Sequence, residues 1–236
     1  PGLGDGLRTV RETALPLAAA CREYGRERKV YLFSRRRGLE PGATIRGMAE
    51  DQAEAMKKLG LWGADVLGIS QGGMVAQHLA AEAPGLVRRL VLVATAGWAN
   101  ETVQETVGRW LLLAERGDYR RLMRDTAERS YSQRYLRRYR LLLPLLGTIG
   151  RPRSYQRFLI QARACLGHDA RGALGRIGCP ALVVGGGRDQ VVGAEAAGVL
   201  AEHLSQSRLW IYPELGHGLY EEAADLPARV LAFLSQ

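Results

Sequence analysis

Lysine is nearly missing from this chain: three lysines leave 30 of its 33 basic side chains as arginine, and the formal net charge is +9. Cysteine is as scarce. Cys21, Cys165 and Cys179 are far apart and odd in number, which excludes a disulfide-stapled scaffold and fits free thiols in a reducing compartment, so a cytoplasmic address is expected. No apolar run reaches the ~18 residues of a transmembrane helix, and no basic-then-apolar start reads as a signal peptide. The first residue is Pro1 rather than Met, so any leader would lie upstream of it. No pair of cysteines or histidines stands at metal-ligand spacing. No G-x-x-x-x-G-K phosphate loop occurs, and the glycines of GGGRDQ lack the rest of a dinucleotide fingerprint. The expectation is therefore no metal and no cofactor. Internal repeats and low-complexity linkers are lacking as well.

With 236 residues and 47% apolar content, the chain can bury a substantial core. Val30–Ser34, Asp65–Ile69, Leu90–Ala94, Ala181–Gly185 and Arg208–Tyr212 read as strands, most of them continuously apolar as strands buried on both faces are. Apolar residues at helical spacing fill Thr9–Tyr24, Thr44–Leu59, Gln71–Ala83, Ala194–Leu204 and Tyr220–Leu234, and Pro84-Gly85 stops the third of these. This alternation predicts an α/β fold, a mostly parallel sheet flanked by helices and joined by right-handed crossovers. From Trp98 to Arg176 the alternation fails, with helical patterns, tyrosines and arginines but no strand. Residues 98–176 are thus expected to be an inserted helical subdomain dividing a core of 1–97 and 177–236. It contains LLLPLLGTIG, in which Pro144 and Gly147 would break any helix.

The charge is localised. Residues 98–176 hold 16 arginines against 7 acidic residues, and the rest of the chain balances at 17 and 17. The excess is read first as the solvated face of an insert, next as an anion-selecting lid, and last as a nucleic-acid surface. Neither nucleic acid nor membrane is expected as a partner; a small molecule is, with the chain a monomer or homodimer.

In an open parallel sheet, ligands bind at the carboxyl ends of the strands. Three reactive side chains fall at such ends. Ser70 follows DVLGI within G-I-S-Q-G, Asp189 follows ALVVGGGR, and His217 follows RLWIYPELG. Glycine at 68 and 72 suits a sharp strand-to-helix turn that leaves no room for side chains two residues either side of a strained serine. A histidine is needed to take the serine proton, and a carboxylate to fix the histidine tautomer.

With these pieces the chain resembles the α/β-hydrolase family along nearly its whole length: PGLGDG at 1–6, FSRRRG at 33–38, GISQGG at 68–73, LVLVATAG at 90–97, VVGGGRDQVV at 183–192 and ELGHG at 214–218. The resemblance implies Ser70 as nucleophile, His217 as general base and then acid, and Asp189 as its orienting acid. It also implies an oxyanion hole made by the backbone N–H groups of Gln71 and Leu3, with a helical cap over the site. The activity implied is that of a serine esterase acting on a small or medium carboxylic ester. An acyltransferase, lactonase or C–C hydrolase with the same three residues, or a ligand-binding protein with little turnover, are the alternatives. The family's central strand beside DVLGI, and two before it, should precede Pro1. A longer natural protein, with those N-terminal strands missing from this chain, is accordingly expected.

Other residues compete for these roles. His78, His168 and His203 are expected to be structural or exposed, and Glu214 to be a surface residue. Trp98, Trp110, Tyr131 and Tyr155 are candidates for a substrate pocket, although aromatic residues at helical spacing usually serve packing. Arg35-Arg36-Arg37 is expected to be a solvated turn with one arginine paired.

Overall fold

The computed structural model describes residues 1–139 and 150–236. The stretch containing Pro144 and Gly147 lies outside them. Four parallel strands, β1 (Ala64–Ile69), β2 (Val87–Val93), β3 (Ala181–Gly186) and β4 (Ser207–Tyr212), form one sheet in chain order. Alternation along β2 and β3 divides the core in two. Leu90, Leu92, Ala181 and Val183 face one cluster, shared with α3 (Ile45–Lys58), α4 (Gln71–Glu82) and α10 (Ala196–Glu202). Val91, Val93, Leu182 and Val184 face the other, built with α11 (Leu219–Glu222) and α12 (Leu226–Leu234). Burial on both faces explains why these strands read as unbroken apolar runs.

Two expected elements differ. Val30–Ser34 joins no ladder, and Val30, Tyr31 and Leu32 are each almost 40% exposed, at 39%, 39% and 38%. Its β-branched and aromatic residues suit a pleated surface, yet a strand exists only where a neighbour accepts its backbone groups. The expected helices at Thr9–Tyr24 and Tyr220–Leu234 are each broken. The first consists of α1 (Ala14–Ala20) and α2 (Arg22–Gly25), and the second parts around Ala223–Asp225, before Pro227 in the first turn of α12. Elsewhere the predicted elements hold within a few residues. Thr44, placed as the first residue of the second predicted helix, is instead the N-cap of α3, its hydroxyl accepting from Gly47 N at 3.0 Å.

Between β2 and β3 the described residues are helical: α5 (Glu101–Glu115), α6 (Tyr119–Ser130), α7 (Gln133–Tyr139), α8 (Gln156–Leu166) and α9 (Arg171–Leu174). The two ends of this region meet. Trp98 and Asp169 form an antiparallel bridge, and Ala99 N donates to His168 O at 2.8 Å. The buried His168 ring lies there edge-on to His78 of α4, with centroids 5.6 Å apart.

Burial, followed by the neighbouring His78, pushes the His168 pKa down from 6.5 to about 4. The unfolded chain therefore takes up this proton first as the pH falls. Stability present above pH 6.5 should decline as the pH drops and the loss should be complete near 4, amounting to on the order of 3 kcal/mol. In urea unfolding between pH 7 and 4.5, His168→Gln should lose less stability than the wild type; equal slopes would contradict this. Leu90, fully buried in β2, supplies a second check: Leu90→Ala should cost about 2–5 kcal/mol, against about 1 kcal/mol for the cap substitution Thr44→Ala.

Candidate active site

The carboxyl ends of the strands are level, since Ile69 pairs with Val93, Val93 with Val184 and Gly186 with Tyr212. The residues that follow them converge. Ser70 stands between β1 and α4 with φ 54° and ψ −122°, a conformation that costs a non-glycine residue about 1–3 kcal/mol. Four hydrogen bonds fix it. Ser70 N donates to Val93 O at 2.9 Å, while Ser70 O accepts from Thr95 Oγ1 at 2.8 Å, Gly73 N at 2.8 Å and Met74 N at 3.2 Å. A Cβ on Gly68 would stand 2.5 Å from Gly72 O, and one on Gly72 would stand 2.7 Å from Pro1 O. Glycine at both positions is thus a requirement of close approach.

The hydroxyl so presented meets an imidazole. His217 Nε2 lies 3.0 Å from Ser70 Oγ, and His217 Nδ1 lies 2.9 Å from Asp189 Oδ2. The other oxygen of Asp189, Oδ1, accepts from Val191 N at 2.8 Å and Val192 N at 2.9 Å, so the buried carboxylate has partners on both oxygens. Two glycines let the loops approach: a Cβ on Gly186 would fall 2.5 Å from Gly216 O, and one on Gly187 would fall 2.7 Å from Pro213 O. With Asp189 accepting from Nδ1–H, Nε2 is left free to accept the serine proton.

Leu3 and Gln71 approach the serine from two directions. A Cβ on Gly2 would stand 3.2 Å from Ser70 Cβ, which places the Pro1–Leu3 segment against the hydroxyl. Leu3 begins a short 3-10 turn (Leu3–Gly6), and Gln71 begins α4. As first residues of helical turns, neither amide has an intrahelical acceptor. The α4 dipole adds partial positive charge at Gln71 N.

The remaining candidates scatter. Trp110 is buried in the core, and its Nε1–H donates to Asp125 Oδ2 at 2.9 Å. Trp98 sits at the Asp169 bridge, edge-on to His203. Tyr131 reaches the histidine loop: its ring would collide with a Cβ on Gly218, and its hydroxyl donates to Glu221 Oε2 at 2.9 Å. Burial, then Tyr220 and Glu221, push its phenol well above the usual range, so it stays a neutral donor. Tyr155 lines a cavity of about 540 Å³ between Pro41–Thr44, the end of α5 and α8, to which none of Ser70, Asp189 and His217 contributes. His78 is buried and His203 exposed, and Glu214 pairs with Arg188 at the surface.

A cluster that sequence reasoning missed lies beneath Gln71. Of the triplet expected to form a solvated turn with one arginine paired, Arg36 and Arg37 are exposed, while Arg35 is the bonded one and is buried rather than solvated. Its guanidinium and the buried Asp5 carboxylate meet Gln71, Arg157 and Gln161 there. Burial alone would raise the Asp5 pKa, but hydrogen bonds from Ser34, Arg157 and the Arg35 amide outweigh it and hold the carboxyl below the usual range. An arginine triplet carries no local signal that one member turns inward.

Comparison with known proteins bears on the fold. The family model described as alpha/beta hydrolase fold matches residues 31–224. A pimeloyl-[acyl-carrier protein] methyl ester esterase of Neisseria meningitidis is 32% identical over 173 residues, which cover 69% of this chain and 65% of that protein. Its namesake in Chromobacterium violaceum is 33% identical over 162 residues, covering 65% of this chain and 63% of that one. The chain therefore spans somewhat under two thirds of the length of these curated relatives. A solved alpha/beta hydrolase enzyme from a deep-sea metagenome library superposes with a TM-score of 0.74 at 25% identity, over 84% of this chain and 74% of the other.

The elbow geometry predicts a steep penalty at Gly68. Because the obstacle is the backbone of Gly72 and Gly73 rather than a side chain that could swing away, Gly68→Ala should destabilise the fold by about 2–4 kcal/mol, visible as a lowered urea midpoint. A neutral substitution would mean that the turn has slack which its close contacts deny.

Proposed function

The chain belongs to the alpha/beta hydrolase fold family, and within it we propose a serine hydrolase of carboxylic esters that works through an acyl-enzyme on Ser70. The observation that carries this reading is the unbroken hydrogen-bonded chain from Ser70 Oγ through His217 to Asp189. In the first half-reaction Ser70 Oγ attacks the ester carbonyl carbon while His217 Nε2 takes the hydroxyl proton. Asp189 keeps Nδ1 protonated and stabilises the imidazolium that forms. The tetrahedral oxyanion is held by the N–H groups of Gln71 and Leu3. As the carbonyl re-forms, His217 gives the proton to the leaving alkoxide, and the alcohol departs. Water then repeats the sequence, with His217 as base, and releases the acid and free Ser70.

Likeness to relatives named as pimeloyl-[acyl-carrier protein] methyl ester esterases supports a substrate with a short alcohol, a methyl ester at the end of an acyl chain. The neutral core and arginine-rich insert suit an acyl chain attached to an anionic carrier.

The reading is tested with p-nitrophenyl butyrate beside methyl esters of dicarboxylic acids of increasing chain length. Wild-type protein should turn over the chromogenic ester, and Ser70→Ala should lower kcat by about 10⁴-fold or more. An unchanged rate in S70A, with the protein folded, would end the proposal.

A further inference from the structure

Of the two proposed oxyanion donors, Gln71 N is anchored by the elbow, whereas Leu3 N belongs to a segment that joins no strand. Gly2 packs on Ser70 at one end of that segment and Gly6 on Phe158 at the other, while the peptide groups between Pro1 and Leu3 depend on hydrogen bonding for their orientation. We propose that Arg35 is the positioning residue that sets the two amides against each other. This rests on the esterase reading of the same site.

A single nitrogen makes the link. Arg35 Nη2 donates to Pro1 O at 2.9 Å and to Gln71 Oε1 at 3.2 Å. It therefore ties the peptide group next to that of Leu3 to the side chain of the residue carrying the second amide. Gln71 is gripped from the other side, since its Nε2 donates to Gln161 O at 3.1 Å and to Cys165 Sγ at 3.3 Å. Arg35 in turn has a fixed seat. Its amide donates to Asp5 Oδ2 at 3.2 Å, its carbonyl accepts from Arg157 Nη2 at 2.8 Å, and Asp5 also accepts from Ser34 Oγ at 2.5 Å and Arg157 Nη2 at 2.7 Å.

The charge balance gives the seat a second effect. Asp5 pairs with the Arg157 guanidinium and takes only the backbone amide of Arg35, so among the described residues the buried Arg35 guanidinium has no carboxylate within ion-pair distance. One positive charge is left uncompensated behind the elbow, where negative charge develops on the carbonyl oxygen. Burying an arginine is costly unless it is paired and fully engaged. A bridge needed only for folding would gain nothing from a position touching both donor segments.

The experiment compares wild type, Arg35→Met, Arg35→Lys and Gln71→Met by ester kinetics and by backbone hydrogen exchange of residues 1–7. R35M keeps the stem length but removes the donors and charge. It should lower kcat by about 10- to 100-fold with KM within about threefold, because a misplaced donor weakens the transition state alone. Exchange at Asp5 and Leu7, whose amides donate to Gly2 O and Gly4 O, should accelerate while that of β2 and β3 stays unchanged, and R35K should recover part of both. Should R35M fail to fold, Q71M removes one arm of the bridge and carries the same kinetic readout. A kcat within twofold of wild type in folded R35M or Q71M, or unchanged exchange of residues 1–7 in R35M, overturns the assignment of Arg35 alone. Wild type without Ser70-dependent turnover overturns the esterase reading and this role with it.

Discussion

One strained residue organises this molecule. At φ 54° Ser70 occupies a conformation that side chains disfavour, and the surrounding structure is arranged so that no cheaper alternative remains. The strand ahead of it and the helix behind it fix the direction of the chain. Val93 and Thr95, at the end of the neighbouring strand, bond its backbone on both sides. Gly68, Gly72 and Gly73 clear the space into which relaxation would otherwise push. The result is a hydroxyl lifted out of the backbone at the level where the loops after β3 and β4 also arrive. Strain of a few kcal/mol is tolerable because the buried sheet and its two apolar clusters hold far more.

The chemistry rests on what surrounds that hydroxyl electrostatically. Asp189 spends one oxygen on two backbone amides and the other on His217, so it orients the ring without turning away. On the opposite side of Ser70 a second buried carboxylate, Asp5, organises two arginines rather than a histidine. The two acids thus have different surroundings, one bonded to a histidine ring and two backbone amides, the other to an arginine side chain, an arginine amide and a serine. Many arginines of the helical insert do something plainer: Arg109, Arg124 and Arg163 form exposed pairs with Asp125, Glu128 and Glu115, contacts that are worth little singly in water.

Legibility in the sequence followed burial. β2 and β3 were readable because both faces are covered, which leaves unbroken apolar runs, and Ser70, Asp189 and His217 were readable because each lies within five residues of the carboxyl end of a strand. Val30–Ser34 looked equally convincing and is not a strand, since residue preference describes a surface and not the neighbour needed to complete a ladder. The break before Pro227 was visible as a residue type but outweighed by helical spacing across it. Arg35 was illegible for a different reason: only the meeting of three distant segments gives an inward arginine its partners. Trp110 likewise looked like a pocket residue and is a core one, buried with its indole N–H on Asp125 of α6.

The central claim is that an acyl group passes through Ser70, and it is tested most directly by catching that group. Protein mixed with excess p-nitrophenyl butyrate, quenched in acid within the first turnovers and digested, should yield the peptide containing Ser70 with the added mass of a butyryl group. The modified fraction should rise in step with the first release of nitrophenolate. Ester hydrolysis with no acylated Ser70 peptide at any quench time, or with the acyl group on another residue, would contradict the account.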